Sequence, residues 1–541
     1  MFVNFSDLPG SQNLFLDYLN EFDNVNKFFS KNFRDIDNYA DHFKELSTSE
    51  KCNRQNLIEI IKNQYKDFKV SKQTEININL FESKRTLAVV TGQQLGLFGG
   101  PLYTIYKTIT AIKLALWLKE NFEGYNFIPV FWLEGDDHDF DEIRSLNIIA
   151  NDNSIKQITY DKEVPEGLNR GPVASLKLND SFNELISEIK EDLRETDFTK
   201  ELFEVIEKCY YSGSTFSIAM KNLLLRLFDE YGLIIFDPTD RKVKESLKPL
   251  FENEITNFAK SSALLVERSA ELEELYHAQV KVKPINLFYN EGNERLLIEP
   301  VEDEFRLKGK RKKISKEEIL SEIDNHPEKF SPNVLLRPIC QDTLLPTAFY
   351  IGGPSEISYF AQLTPLYKLN NLVQPIIYPR ASAVIIEKQF SNLLAKYKLN
   401  YTDLFRDESS LNEKVLSKIS DFASNDLFDG IEKIYSEEFN KLNSRIEIID
   451  KNLMMVSEKT LSKILQLLNN LKDKTKDAEI RKHDVAIKQL EKMRNNLYPL
   501  NNLQERELNF IHFANKYGIN FVKLLFNQLK INKFEHQIIE I

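Results

Sequence analysis

The sequence predicts an α/β protein organised on a parallel sheet, and three stretches carry that prediction. Residues 86–101 (TLAVVTGQQLGLFGGP) read as an apolar strand running into a glycine-dense loop. The run LYTIYKTITAIKLALWLKE behind it reads as an amphipathic helix, and residues 126–133 (NFIPVFWL) as a second apolar strand. Two strands joined by one helix make a βαβ unit, which needs a parallel pair and is almost always right-handed. In open parallel sheets ligands sit beyond the carboxyl ends of the strands. The glycine loop and the polar segment 134–142 (EGDDHDFDE) are therefore expected to face one crevice.

Four of the 17 glycines, Gly92, Gly96, Gly99 and Gly100, fall within nine residues of this loop, with Gln93 and Gln94 among them. Such a loop before a helix points backbone N–H groups at an anion, most often a phosphate. The spacing is neither the dinucleotide fingerprint nor the P-loop, so the anion stays unspecified. Lys107, about two turns into the helix, either reaches back to that anion or snorkels to the surface.

Composition narrows the class. A chain of 541 residues exceeds what one core usually supports, and two to four units are expected. A net charge of −11 argues against a protein that lives on nucleic acid. Cys52, Cys209 and Cys340 are too scattered for a disulfide framework or a C-x-x-C site, which excludes zinc of that kind. The N-terminus has no signal-peptide pattern, and no apolar run approaches the roughly 18 residues of a membrane span. A cytoplasmic protein with no membrane segment is expected.

Taken in order, residues 1–85 are expected to be helical support for the core, with Phe15, Leu19 and Phe22 on one face and a capping box at 47–50 (STSE). The core is expected over 86–385, with insertions near 144–230 and 277–330. Residues 144–178 alternate as antiparallel strands do, helices follow near 182–229, and GLIIFDP (232–238) reads as another core strand. NLFYNEGNERLLIEP reads as a hairpin turning at Glu291-Gly292-Asn293, and the basic run 308–313 as a solvated loop. Residues 334–362 and 375–382 each read as an apolar strand ending in polar groups. Gly352-Gly353-Pro354 echoes Gly99-Gly100-Pro101, each ahead of a helix. Residues 386–500 are expected to be helical, with an antiparallel coiled-coil arm at about 430–499. There Tyr435, Phe439, Leu442, Ile446, Ile449, Leu453 and Val456 keep 4-3 spacing, and Leu461, Ile464, Leu468 and Leu471 resume out of phase. The break is expected at Ser457, with a second helix roughly 50–60 Å long. Residues 501–541 are expected to return to the core as helix.

The chemistry points to His138, the one histidine flanked by carboxylates: Asp136, Asp137, Asp139, Asp141 and Glu142. Asp137 and Asp139 suit Mg²⁺, a carboxylate beside imidazole suits acid/base work, and a polar cap on the next helix suits neither. Gln341, Asp342, Glu356, Tyr359 and Arg380 lie near strand or loop ends. Cys340 reads as a buried small hydrophobe.

Together GQQLGLFGGPLYTIYK (92–107), PVFWLEGDDHDFDE (129–142), RPICQDTLLPTAFYIGGPSEISYFAQL (337–363), PRAS (379–382) and LQER (503–506) resemble the bacillithiol biosynthesis cysteine-adding enzymes, the BshC family. The resemblance implies a Rossmann-like core similar to class I aminoacyl-tRNA synthetases, with connecting insertions and a coiled-coil arm that makes a homodimer. It implies a ligase that joins cysteine to glucosaminyl-malate. Forming that amide at neutral pH requires an activated carboxyl, so ATP and Mg²⁺ are expected. The catalytic residues would be His138, Asp137 and Asp139, beside the Gly92-Gln93-Gln94 loop, with Gly353, Pro354, Glu356 and Tyr359 across the cleft. The family pattern has Glu before the DHD triplet, where this chain has Asp136. The alternative is a non-catalytic nucleotide- or thiol-binding protein whose arm docks a partner enzyme.

Overall fold

The computed structural model describes residues 1–419 and 424–541. Residues 420–423 of the expected 386–500 helical region lie outside the described residues. The chain divides into two compact units, residues 1–385 with 502–539, and residues 386–501 with 540–541.

The first unit is built on five parallel strands: Thr86–Gln94, Asn126–Glu134, Ile234–Phe236, Thr347–Gly352 and Ile376–Pro379. Their spatial order is fifth, fourth, first, second, third. The chain thus runs outward from the first strand to the third, then returns to lay the fourth on the first strand's other side. That reversal is a topological switch point, where open α/β sheets leave a crevice at the carboxyl edge. The strands are buried on both faces, which is why they read as continuous apolar runs rather than alternating ones. Pro129 sits within the second strand, just short of the third strand's pairing, which begins at Val130. The helix Tyr103–Asn121 between the first two strands is buried on most sides rather than amphipathic. Its Thr108 and Thr110 hydroxyls satisfy themselves on the carbonyls of Thr104 and Tyr106, at 2.8 and 2.7 Å.

Ser145–Ile149 and Ile155–Thr159 form an antiparallel pair, and Leu287–Glu291 with Glu294–Val301 form the hairpin. That hairpin belongs to a five-stranded antiparallel sheet whose edge strands are Lys313–Ile314 and Phe330–Pro332. The basic run turns between Leu307 and Lys313, with Lys310 on Glu294 at 2.5 Å and Lys313 on Glu302 at 2.7 Å.

Several local expectations are corrected. Residues 47–50 do not open a helix: Ser47 and Thr48 close Tyr39–Thr48, and the next helix starts at Arg54, capped by Asn53 accepting from Asn56 N at 3.1 Å. The apolar start of 334–362 is not a strand, because Pro338 near the N-terminus of Arg337–Leu344 fits a first helical turn; the strand follows at Thr347. The C-terminal segment has helices Phe510–Tyr517 and Phe521–Gln528 but ends in a strand, His536–Glu540, paired antiparallel with Phe2–Val3. In the second unit, helices Ser424–Ile449 and Leu453–Lys482 pair antiparallel, with Asp429 and Lys472 bridged at 2.7 Å almost equidistant from the turn. The break therefore falls at 450–452 and not at Ser457, and the second helix, at 30 residues, is about 45 Å long. Asp450 accepts from Asn452 N at 2.9 Å, a local turn that competes with helix and explains the position.

The N-terminal helices dock through buried polar contacts. Tyr18 Oη donates to Ile377 O at 2.5 Å, and His42 Nε2 meets Ala348 O at 3.0 Å. Burial, then the nearby Lys31 ammonium, pushes the His42 imidazole down to about 3 from 6.5. A folded value below the unfolded one gives stability that is present above pH 6.5 and lost as acid forces the buried ring to charge. Unfolding free energy, followed by denaturant titration between pH 7 and 4, is expected to fall with pH, and His42→Asn is expected to flatten that slope.

Candidate active site

At the switch point a cleft of about 610 Å³ opens at the carboxyl ends of the first, second and fourth strands. Gly92, Gln93 and Gln94 end the first strand and line it, with Asp137 and His138 from the second strand's loop. Gly353, Pro354, Glu356, Tyr359 and Arg380 form the opposite wall. The inserted antiparallel sheet supplies Phe288, Arg295 and Pro332 as a third side.

The two sides of the switch point are tied beneath the cleft. Lys107, only 1% exposed, donates to Gly92 O at 2.5 Å and Gln93 Oε1 at 3.3 Å, and pairs with Glu356 Oε2 at 2.8 Å. Glu356 also accepts from Gly353 N at 2.8 Å and Tyr350 Oη at 2.6 Å. Burial opposes the Glu356 charge, but Lys107 and the Gly353 N–H hold the carboxyl below its usual range. Lys107 neither snorkels nor reaches an anion, because its ammonium is spent on these partners. Gly92 is required by closeness: a Cβ there would meet Trp132 O at 2.9 Å.

The glycine loop is not an open anion cradle. The N–H groups of Gly96, Gly99 and Gly100 already bond the carbonyls of Gln94, Gly96 and Leu97. Gly99 and Gly100 take positive φ of 87° and 72° to make that turn. The start of the following helix is covered as well, since Leu102 N donates to Leu508 O and Asn509 Nδ2 bonds Leu97 O and Gly100 O at 2.9 and 2.8 Å. Gly96 and Gly100 line a neighbouring cavity of about 350 Å³ instead.

Around His138 the carboxylates divide. Asp137 accepts from Gln94 Nε2 at 3.0 Å, from His138 N at 2.7 Å and from Arg295 Nη1 at 3.4 Å. His138 Nδ1 lies 3.4 Å from the same carboxylate and 3.3 Å from Arg295 Nη1. Burial alone would raise the Asp137 carboxyl, but His138, Arg295 and Gln94 hold it well below the usual range. Asp139 instead caps the turn Phe140–Ile143 by accepting from Glu142 N at 3.1 Å, so it does not orient His138. Asp136 is buried against Lys244 at 2.6 Å and serves packing. These commitments do not fit Mg²⁺ held by Asp137 and Asp139, and no three His, Cys, Asp or Glu among the described residues converge as a metal site.

Gln341 and Asp342 stand behind the cleft wall. Gln341 Oε1 accepts from Arg337 Nη1 at 3.1 Å, and Gln341 Nε2 donates to Asp342 Oδ1 at 2.8 Å. Burial pushes the Asp342 carboxyl up to about 6 against its hydrogen bonds from Thr347, Tyr367 and Gln341. Cys340 is buried, and burial pushes its thiol up, so it is no nucleophile. Arg380 pairs with fully buried Glu505 at 2.7 Å.

Among the charged residues of the cleft, Lys281, Lys283, Arg295, Arg337 and Arg506 were not singled out by the sequence reading, and Glu134 entered it only as the start of the segment 134–142. Glu134, the last residue of the second strand, and Arg337 and Arg506, inside recognised motifs, had a positional signal. Arg295 had none, because it reaches the cleft from an inserted hairpin. It is anchored on Ser331 Oγ and Pro332 O at 2.9 and 2.8 Å, with its guanidinium 3.9 Å from the Phe288 ring centroid.

Residues 1–381 match the bacillithiol biosynthesis BshC N-terminal Rossmann-like domain, and residues 383–541 the BshC C-terminal coiled-coil domain. The chain belongs to the BshC family. Relatives named "Putative cysteine ligase BshC" include those of Chlorobaculum tepidum, 35% identical over 98% of this chain and 97% of its own, and Salinibacter ruber, 35% over 97% and 96%. That of Flavobacterium johnsoniae is 31% identical over 98% and 97%. In this BshC-family chain no helix among the described residues is long and apolar enough to cross a membrane.

Removing the Lys107 ammonium leaves Glu356 charged and largely buried. Lys107→Met is expected to cost about 3 kcal/mol in chemical denaturation, the low end for a broken buried pair because Glu356 keeps some exposure. Lys107→Met with Glu356→Gln is expected to recover part of that loss.

Proposed function

We propose that this chain is a cysteine ligase of bacillithiol biosynthesis, forming an amide between the cysteine carboxyl and the amine of glucosaminyl-malate. Membership of the BshC family and the names of the relatives support the reaction class. The observation that carries the site is charge. In a chain of net charge −11, the cleft is lined by Lys281, Lys283 and Arg506, none with an ion-pair partner among the described residues. Open cations of this kind suit the two carboxylates of malate and the phosphates of an activating nucleotide.

An amide does not form from a free carboxylate in water at neutral pH without activation, and ATP is the proposed co-substrate, giving an acyl-adenylate or acyl-phosphate. An adenylate would make the chemistry akin to that of class I aminoacyl-tRNA synthetases. Mg²⁺ enters only as the counter-ion of the nucleotide's phosphates, since Asp137 and Asp139 are committed elsewhere. His138 stands with Nδ1 3.4 Å from Asp137 and 3.3 Å from Arg295, and its other ring nitrogen would serve the charge that develops on the activated group. The proposal extends to a homodimer made through the arm, where Tyr435, Leu442, Ile449, Leu453 and Val456 are exposed.

Incubation with ATP-Mg²⁺, cysteine and glucosaminyl-malate, with mass detection, is expected to yield bacillithiol. His138→Ala is expected to lower kcat by about 100-fold or more. No product from the unaltered chain would overturn the reading, and nucleotide binding without product would favour a non-catalytic binding protein. In analytical ultracentrifugation, Leu442→Asp with Leu453→Asp is expected to give a monomer.

A further inference from the structure

The floor of the cleft holds a carboxylate and a guanidinium that are each left incomplete. Glu134 closes the second core strand, in register with Gln94 of the first. Its Oε2 is buried without a hydrogen-bond partner, as is Nη2 of Arg337, whose side chain is 9% exposed. The nearest approach between them, Arg337 Nε to Glu134 Oε2, is 3.6 Å, an ion pair too long for a hydrogen bond. Buried polar groups are nearly always satisfied, so an open donor and an open acceptor side by side in a cleft call for a ligand carrying both complements.

The rest of the pair is rigid. Arg337 Nη1 is held by Gln341, Gln341 by Asp342, and Asp342 by the Tyr367 hydroxyl. The guanidinium lies 5.3 Å from the Tyr350 ring centroid. By contrast, Arg380 is closed on Glu505 and Ala381 O, and Arg295 on Ser331, Pro332 and Asp137. Among these three cleft arginines only Arg337 keeps a buried nitrogen, Nη2, with no hydrogen-bond partner, although the Tyr359 hydroxyl adjoins its guanidinium.

We infer that the Glu134–Arg337 pair is where the amide bond forms, with Glu134 taking the proton of the attacking amine and Arg337 holding the acyl oxygen. The inference rests on the ligase reading above. The neutral amine of the glucosaminyl acceptor forms the C–N bond to the activated cysteine carbonyl, and its N–H proton passes to Glu134. The negative charge gathered on the acyl oxygen meets Arg337 Nη2. Collapse of that intermediate breaks the bond to the activating phosphate or adenylate, which leaves with the bonding pair, and Glu134 returns its proton to solvent or the leaving group. The charge environment agrees. Burial, opposed by Arg337 and assisted by Asp136 and Asp137, with Arg295 also opposing, brings the Glu134 carboxyl up to about 7. A base of that strength works at neutral pH.

The test compares the unaltered chain with Glu134→Gln and Glu134→Asp, using pH–rate profiles and calorimetric titration of glucosaminyl-malate in buffers of different ionisation enthalpy. For the unaltered chain kcat is expected to rise with pH through about 7, as Glu134 loses its proton, and acceptor binding is expected to carry a proton linkage. Glu134→Gln is expected to lose about 100-fold or more in kcat, together with the part of the acid limb and linkage that exceeds the acceptor amine's own ionisation, while KM changes little. Glu134→Asp is expected to keep the limb at reduced kcat, which a merely structural role would not produce. An acid limb and linkage in Glu134→Gln unchanged from the unaltered chain, after subtraction of the acceptor amine's own ionisation measured on the free compound, would overturn the inference alone. No binding and no product with the unaltered chain would overturn the ligase reading and this inference with it.

Discussion

The buried pair of Lys107 and Glu356 is the constraint on which the cleft depends. It spans the switch point, joining the helix after the first core strand to the helix after the fourth. Through Gly92 O, Gln93 Oε1, Gly353 N and Tyr350 Oη it also holds both strand ends. A parallel sheet fixes its strands along their length, but nothing in the ladder fixes the loops beyond their carboxyl ends. Here an ion pair, satisfied on both sides by backbone and hydroxyl groups, does so. A pair of this kind is weak support for overall stability, since desolvation offsets much of its attraction. Its effect is geometric, keeping the two walls at one separation.

Above that floor, the charged groups fall into closed and open sets. Asp136 with Lys244, Arg380 with Glu505, and Asp137 with Arg295 and Gln94 are closed, each satisfied by a neighbour at hydrogen-bond distance. Lys281, Lys283 and Arg506 at the cleft and the facing atoms of Glu134 and Arg337 are open. Closed groups cost little because their partners are preorganised, whereas open groups retain the capacity to bind charge. The division separates the scaffold of the candidate site from the groups proposed to meet substrate.

The inserted antiparallel sheet joins scaffold and chemistry. Arg295 sits on a hairpin strand far along the chain from His138, yet both contact the Asp137 carboxylate. The insertion is thus a wall of the cleft and not an ornament on the core.

The sequence by itself determined the βαβ unit, the hairpins of the insertions and the antiparallel arm, because periodicity, turn residues and heptads act over short range. It also placed GQQ and DHD at neighbouring strand ends, which strand register confirms in Gln94 opposite Glu134. Only the tertiary structure decided which polar groups were spent. The loop glycines looked like anion donors until their N–H groups proved to be used in local turns and the helix start covered by Leu508 and Asn509, some four hundred residues on. Lys107 looked free until Glu356 met it, and Asp139 looked catalytic until it capped a turn. Arg295 carried no local mark of chemistry, and Glu134 and Arg337 only a position at a strand end or inside a motif. Whether a hydrogen bond is already made depends on atoms brought close by folding, and spacing along the chain holds no record of them.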